Sequence, residues 1–350
     1  MERHPIPSNA PTAESHIRLS PKPFRKSRHF GAFLICCALF VAGFALTAVW
    51  QNADGAFGKK EEGTSAPTQE DFPPIFTPPV VPPALEDSIV IPEGATPIVS
   101  YDLSHLGRGI GYLNNETFYH PNINELLETD VTAKLTQEPL VLVLHTHTSE
   151  GYLGESVPYL EGDLGKITYT QNEEQNMLAV GKAFISALNK NGITAIHCTV
   201  MHDASGLSGS YERAAQSIQF FLTHYPSIRY VVDLHRDAIL TTEGEYVRAV
   251  TEIDGKSVAQ ILPVIGSNAG GWEHDGWEGN LALALQMRQV LNQNDTALCR
   301  PVMLRNSTYN QEMAPYAILL EIGTGANSID EAIAAATLAG EAFAKVILSH

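Results

Sequence analysis

Five consecutive aliphatic residues at positions 140–144 are followed within six positions by His145, His147 and Glu150. Five residues are too few for a helix of ordinary length, and the lack of alternation predicts a strand buried on both faces, as in a parallel sheet. In open α/β sheets, ligands bind beyond the carboxyl ends of the strands. The sequence therefore predicts imidazole and carboxylate groups at a position suited to a metal ion.

Two later apolar runs end in the same way. Residues 230–234 lead directly into His235, and residues 317–320 lead into Glu321. If the three strands are parallel neighbours, their carboxyl ends lie at one edge of the sheet and bring these side chains together. One such run would mean little, but three of them indicate a shared site.

The residue types at these strand ends fit a hydrolytic zinc site, in which three protein ligands leave one position open. His147, Glu150 and His235 can supply the ligands, and Glu321 can move a proton from water to the leaving group. Because side chains alternate along an extended segment, His145 and His147 are predicted to point the same way, so either could be the ligand.

The third ligand has two alternatives, Glu173 and Glu174, which precede a helical pattern and could replace Glu150. Acidic residues are favoured at the start of a helix in any case, so capping is the preferred interpretation of both. Three other histidines lack a comparable setting and are interpreted as surface or packing residues: His197, His202 and His224.

The residues around His235 also have predicted roles. Asp233 and Asp237 could hold the His235 imidazole in its orientation without binding the metal themselves. Arg236 could hold a carboxylate-bearing substrate or pair with Asp237, and the sequence does not choose between these two roles.

The part of the chain before residue 98 consists of three segments that differ in charge and hydropathy. Residues 1–28 carry six Lys/Arg against two Asp/Glu and form a predicted cytoplasmic tail. Residues 29–50 form a predicted single-pass membrane anchor, since positions 31–50 hold no charge and would span about 30 Å as a helix. The basic flank predicts an exported body; a cleaved signal peptide is the rival interpretation. Residues 51–97 are Pro-rich and predict an extended tether.

Residues 98–350 are predicted to form one α/β domain with a mixed, mainly parallel sheet and helices on both faces. The net charge of −17 makes nucleic acid an unfavourable partner. A disulfide between Cys198 and Cys299 is conceivable, but two separate buried thiols are preferred. Beyond the three strands above, the patterns predict helices at 123–127, 173–191, 211–224, 280–291 and 328–348, strands at 193–200 and 301–304, and a hairpin of 247–253 with 258–264.

Several motifs of the chain resemble those of one known family, the stage II sporulation protein P family. The likeness covers roughly residues 98–348, and the layout of anchor, tether and C-terminal domain is similar as well. The motifs that carry it occur in the family's order and are His145-Thr-His-Thr-Ser-Glu150, Asp233-Leu-His-Arg-Asp237, Tyr309-Asn-Gln-Glu-Met313 and Leu320-Glu-Ile-Gly323.

The resemblance implies a zinc-dependent peptidoglycan hydrolase with a phosphorylase/hydrolase-like α/β fold. The implied activity is that of an N-acetylmuramoyl-L-alanine amidase, with endopeptidase activity on peptide cross-links, during forespore engulfment. Stage II sporulation proteins D and M are the implied partners. The implied site comprises metal ligands at His147 (or His145), Glu150 and His235 and a catalytic Glu321. Arg236 and Asn310 are predicted to bind substrate.

Two other functions are compatible with the same residues. One is a zinc carboxypeptidase of similar fold, which would remove a terminal residue rather than a whole stem peptide. The other is a non-catalytic peptidoglycan-binding scaffold, which would have no need of two histidines and two glutamates at the ends of neighbouring strands.

Overall fold

Residues 90–105, 113–293 and 296–348 are the part of the chain that the computed structural model describes. The predicted tail at 1–28, the predicted anchor at 29–50 and most of the predicted tether at 51–97 lie outside these residues. Within them, no helix is both long enough and apolar enough to cross a membrane.

Strands and helices alternate along the described chain. The strands are β1 (Thr96–Tyr101), β2 (Leu113–Asn115), β3 (Val141–Leu144), β4 (Tyr159–Leu160), β5 (Ala195–His197), β6 (Tyr230–Asp237), β7 (Tyr246–Ile253), β8 (Lys256–Ala259), β9 (Ile261–Gly266), β10 (Val302–Arg305) and β11 (Tyr316–Thr324). The helices are α1 (Ile123–Leu127), α2 (Leu164–Ile167), α3 (Met177–Lys190), α4 (Ser210–His224), α5 (Trp277–Leu291) and α6 (Ile329–Leu348).

The larger of two sheets has seven strands in the order β2-β10-β9-β11-β6-β3-β5. Neighbouring strands are parallel except for the antiparallel pair of β9 and β11. The prediction of a mixed, mainly parallel sheet is therefore confirmed. The three strands that carry the predicted site, β3, β6 and β11, are direct neighbours and run in the same direction.

Both faces of β3 are covered, which explains its uninterrupted apolar sequence. Val141 and Val143 belong to a core cluster that also contains buried residues of α3, α5 and α6. Leu142 and Leu144 belong to a second cluster on the other face, beneath α4. All four side chains are fully buried, and each contributes about 1.5–3 kcal/mol relative to an exposed position. Helices on both faces were predicted, and the structure has them.

A smaller second sheet, in the order β4-β1-β7-β8, was not predicted. The hairpin prediction is correct for β7 and β8, but its second strand divides at Gln260, after which β9 joins the large sheet. The buried Gln260 side chain accepts a hydrogen bond from the Leu103 amide and donates to Asp102 Oδ1 and Ala297 O, each at 2.7 Å. These bonds hold the chain at the point where it passes between the sheets.

The two cysteines of the body do not form a disulfide. Cys198 lies in the cluster beneath α4, whereas Cys299 lies in the cluster on the opposite face of the sheet. Both thiols are buried, as the preferred interpretation of the sequence expected.

Candidate active site

Three polar side chains at the ends of β6 and β11 lie on one face of the large sheet. Val231 and Ala317 are buried beneath α4, and side chains alternate along a strand, so Asp233, His235 and Glu321 lie on that same face. The strands pair in register, with Glu321 opposite His235. The register of this pairing shifts between Glu321 and Thr324, so the regular ladder ends at the site.

The turn that follows β3 brings two more candidate residues against His235. The His147 and His235 rings meet edge to face, with centroids 5.2 Å apart. Glu150 Oε2 lies 3.4 Å from His235 Nδ1 and also accepts the Arg236 amide at 3.2 Å. His147 and Glu150 therefore both contact His235.

Asp233 joins this turn to β6. Its carboxylate accepts hydrogen bonds from the Thr146 amide at 2.9 Å and from Thr146 Oγ1 at 2.6 Å. Asp233 Oδ1 also lies 3.1 Å from His235 Nε2, at the distance of an ion pair although not in the direction of a hydrogen bond. Asp233 thus occupies the supporting position that the sequence predicted for it. Asp237 does not, because its Oδ2 pairs with Arg300 Nη1 at 2.7 Å.

The two histidines carry different charges. Burial lowers the pKa of His147, so its ring is neutral at pH 7 and able to bind a metal ion. Burial also lowers the pKa of His235, but the Asp233 and Glu150 carboxylates outweigh that effect and raise it well above its usual range. Conversely, burial raises the pKa of Asp233, yet the adjacent His235 and the Thr146 bonds bring it down to about 2.

Glu321 has an environment unlike that of the other carboxylates. Its Oε2 is buried and has no hydrogen-bond partner among the described residues. Burial, with additional repulsion from Asp237 and Glu150, raises the pKa of Glu321 to about 8. A carboxyl group with a pKa close to the working pH is suited to both accepting and donating a proton.

The structure places His145 away from the other candidates. Its Nδ1 lies 3.2 Å from Leu234 O, and its Nε2 lies 2.8 Å from His197 Nε2, so both ring nitrogens are already engaged. The prediction that His145 and His147 point the same way is wrong because the chain turns directly after β3, and strand alternation ends there. His197 is a partner of His145 rather than a surface residue.

Gly181 on α3 makes room for this buried histidine pair. A Cβ at Gly181 would lie 2.6 Å from His145 Nε2 and closer still to His197 Nε2. We expect Gly181→Ala to lower the free energy of unfolding by about 1–3 kcal/mol through overpacking, as measured by urea denaturation. Gly279→Ala, within α5, is the matched control, since the nearest atom to its Cβ would be Tyr316 Cε1 at 3.4 Å, and it should lower stability by less than about 0.5 kcal/mol. Equal stability of the two variants would contradict the prediction.

Arg236 does not face the site. Its guanidinium is buried and donates to Gly151 O at 3.0 Å and to Thr168 O at 3.3 Å, and it lies over the Tyr169 ring. The carboxylate of Asp237 is held by another arginine. Arg236 therefore does not pair with the Asp237 carboxylate as predicted but ties β6 to the loops beside it; substrate binding by Arg236 stays a prediction.

The alternative ligands Glu173 and Glu174 are exposed and precede the helix rather than start it. Helix α3 begins at Met177 and is capped by Asn176, whose side chain accepts the Leu178 amide at 2.9 Å. The two glutamates therefore do not cap the helix, and their exposed position does not suit a ligand of the buried site. Of the remaining histidines, His202 is buried against His145 O and Ser217, whereas His224 is exposed.

Two tyrosines near the site were missed by the sequence analysis as candidates in their own right. Tyr211, in the first turn of α4, meets the His147 ring edge to face at 5.6 Å and stacks on His235 at 6.5 Å. The Tyr309 ring lies 6.1 Å from that of Tyr211. Asn310, predicted to bind substrate, instead donates its side-chain amide to Tyr211 O at 2.9 Å. In the sequence, Tyr309 and Asn310 stand out only because they lie within a motif, and Tyr211 only because it starts a predicted helix.

The candidate ligands are not arranged around a common point as they stand. Across residues 90–105, 113–293 and 296–348, no three His, Cys, Asp or Glu side chains are grouped so that they could hold a metal ion. The reason is local, since His235 is placed between the carboxylates of Glu150 and Asp233.

Comparisons with known proteins identify relatives of the chain. A sequence model of the stage II sporulation protein P family matches residues 111–346. Stage II sporulation protein P of Bacillus subtilis (strain 168) is 25% identical over 218 residues, which make up 59% of this chain and 51% of the relative. The chain therefore spans about half the length of the curated relative that it matches.

Solved structures of N-acetylmuramoyl-L-alanine amidases are also similar to the chain. The enzyme of Nostoc punctiforme has a TM-score of 0.32 at 17% identity, covering 60% of this chain and 95% of that one. The enzyme of Clostridium difficile 630 has a TM-score of 0.34 at 14% identity, covering 61% of this chain and 97% of that one.

Proposed function

The chain belongs to the stage II sporulation protein P family, and from that premise we propose that it is a zinc-dependent peptidoglycan hydrolase acting in sporulation. The proposed reaction is that of an N-acetylmuramoyl-L-alanine amidase, with endopeptidase activity on peptide cross-links. One observation carries the proposal: His147 and Glu150 both contact His235 at the carboxyl ends of neighbouring strands, and Glu321, opposite His235, has a buried Oε2 without a hydrogen-bond partner among the described residues.

The donor set supports zinc as the metal. Two imidazoles and one carboxylate are ligands that zinc takes in hydrolases, and His147, Glu150 and His235 would hold the ion. The buried Glu321 Oε2, which has no hydrogen-bond partner among the described residues, and the Glu150 and Asp233 carboxylates beside His235 indicate a negative site that a dication would neutralise. Binding requires that His235 lose its proton and exchange its contact with Glu150 for the ion.

Each residue of the site has its own role in the proposed hydrolysis. A bound zinc ion would polarise the scissile carbonyl and make a water molecule more acidic. Glu321 accepts the proton of the attacking water and delivers it to the departing amine. Asp233 orients His235 from behind. Burial raises the pKa of Tyr211 well above its usual range, so its phenol stays protonated beside the two histidines and can donate a hydrogen bond.

The setting of the enzyme is part of the same proposal. Residues 29–50 would anchor the chain in the cell membrane by a single pass, with the N-terminus in the cytoplasm and the catalytic part outside. The uncharged stretch at 31–50 and the basic residues before it support this orientation. Peptidoglycan would be the substrate, and stage II sporulation proteins D and M would be partners.

The proposal is tested by metal analysis together with product analysis. We expect the purified chain to bind about one zinc ion and to release intact stem peptides with a free L-alanine amino terminus from sacculi. Mass spectrometry of the products separates this outcome from loss of a terminal residue, which marks a carboxypeptidase. Sacculus binding without zinc and without products would instead favour the scaffold and overturn the proposal.

A further inference from the structure

Two consecutive residues beside the site, Tyr309 and Asn310, adopt left-handed backbone conformations. Their φ angles are 55° and 60°. Such conformations are costly for residues other than glycine and persist only where the surroundings hold them, frequently at functional sites. The strained turn follows β10 and returns the chain to β11, across the same face of the sheet as α4.

Hydrogen bonds to the sheet hold this turn in place. The buried Gln311 side chain accepts the Gly266 amide and donates to Val264 O, both at 2.9 Å, which ties the turn to β9. Gly270 has no Cβ that would overlap the carbonyl oxygen of Asn306. The backbone of the turn is therefore fixed by contacts that are independent of the Asn310 side chain.

The side-chain amide of Asn310 connects this turn to α4. It donates to the carbonyl oxygen of Tyr211 at 2.9 Å, in the first turn of α4. That helix begins after Gly209, which has no side chain to cap it. The Asn310 bond is thus a clamp between the two turns, at the residue whose ring contacts His147 and His235.

We propose that Asn310 is a positioning residue for the metal site: by holding the first turn of α4, it keeps the Tyr211 ring against His147 and His235 and so fixes the two imidazoles for a shared ion. This inference rests on the proposed function. It differs from the substrate-binding role expected for Asn310, because the amide donor is directed at the helix and not at the space between the candidate ligands.

The informative substitution is Asn310→Gly, since glycine adopts the left-handed conformation without strain and removes only the clamp. We expect zinc affinity, measured by competition with a chromophoric chelator, to fall by about tenfold, the lower end of the effect of removing groups that orient ligands. Melting temperature should change by no more than about 2–4 °C. The matched control is Asn191→Gly, which removes an amide-to-carbonyl bond of the same 2.9 Å length at the end of α3 and should leave zinc affinity unchanged.

The route through Tyr211 is tested in a double-mutant cycle. In a Tyr211→Ala background, Asn310→Gly should change zinc affinity by less than about twofold, because the ring that the clamp positions is already gone. Unchanged affinity of the single Asn310→Gly variant would overturn the proposal, and a tenfold loss in both backgrounds would overturn the route through Tyr211. Failure of the unsubstituted chain to bind zinc would overturn the proposed function as well, so the two failures are distinguishable.

Discussion

Replacing Glu321 by glutamine should slow the release of stem peptides from sacculi by about 10²- to 10⁴-fold, the range expected for loss of a positioned general acid–base group. Glutamine keeps the shape of the side chain but neither accepts nor delivers a proton at this position. The initial rate of peptide release at saturating zinc is the measurement. Zinc content should remain unchanged, because Glu321 is not among the three proposed ligands.

The control for this substitution is Glu341→Gln on the exposed surface of α6. Its carboxylate pairs only with the exposed Lys190 at 3.3 Å, and exposed pairs of this kind stabilise little. Full activity of the control is therefore expected. Retention of more than about a tenth of the rate by Glu321→Gln would fall below the range for general acid–base catalysis and would assign the proton transfer to another group.

Glu321 also allows a test that does not depend on turnover. Its pKa rises from 4.5 to about 8 on folding, so the folded chain binds this proton more tightly than the unfolded chain. The resulting stability is complete below pH 4.5 and is lost as the pH rises through 8. We expect the unfolding free energy of the metal-free chain, measured in urea, to fall relative to that of the Glu321→Gln variant across this window. The comparison isolates Glu321, because His235 and the buried histidines titrate in both chains.

His235→Ala is expected to have a large effect on both the metal and the fold. Removing one of three ligands should weaken zinc binding by more than the 10- to 100-fold that follows the loss of a supporting group. In the metal-free chain, the imidazolium lies between the Asp233 and Glu150 carboxylates at 3.1 and 3.4 Å. Its removal leaves two buried carboxylates without that partner, which should cost about 3–5 kcal/mol of unfolding free energy.

Chelator competition and urea denaturation measure these two effects on the same protein sample. His224→Ala is the matched control, because the His224 ring is exposed and contacts Phe220 O within its own helix. The control should retain both zinc affinity and stability. Zinc binding by His235→Ala as tight as that of the unsubstituted chain would exclude His235 from the ligand set.

The strands of the site could be predicted from sequence because burial on both faces leaves an unmistakable pattern. The apolar run at 140–144 marked β3, and the runs before His235 and Glu321 marked β6 and β11. Parallel neighbours end at the same edge of a sheet, so the meeting of Glu321 with His235 followed from strand reasoning alone.

What could not be predicted depends on turns and on contacts from distant segments. The direction of His145 is set by a turn that begins where the strand pattern ends. Arg236 is occupied by the carbonyl groups of Gly151 and Thr168, in loops without periodicity. The division of the predicted hairpin strand at Gln260 likewise depends on partners more than thirty residues away.

The strand order of the large sheet has a consequence for how the chain reaches its folded state. β11 is the central strand of the seven but comes last of them in the sequence, and β2 pairs with the distant strand β10, in which Val302 lies opposite Leu113. A nascent chain that stops before residue 316 has β2, β10 and β9 on one side and β6, β3 and β5 on the other, with no strand to join them. Pairings of such long range are slow to form. We therefore expect the two halves of the sheet to join only after β11 has left the ribosome.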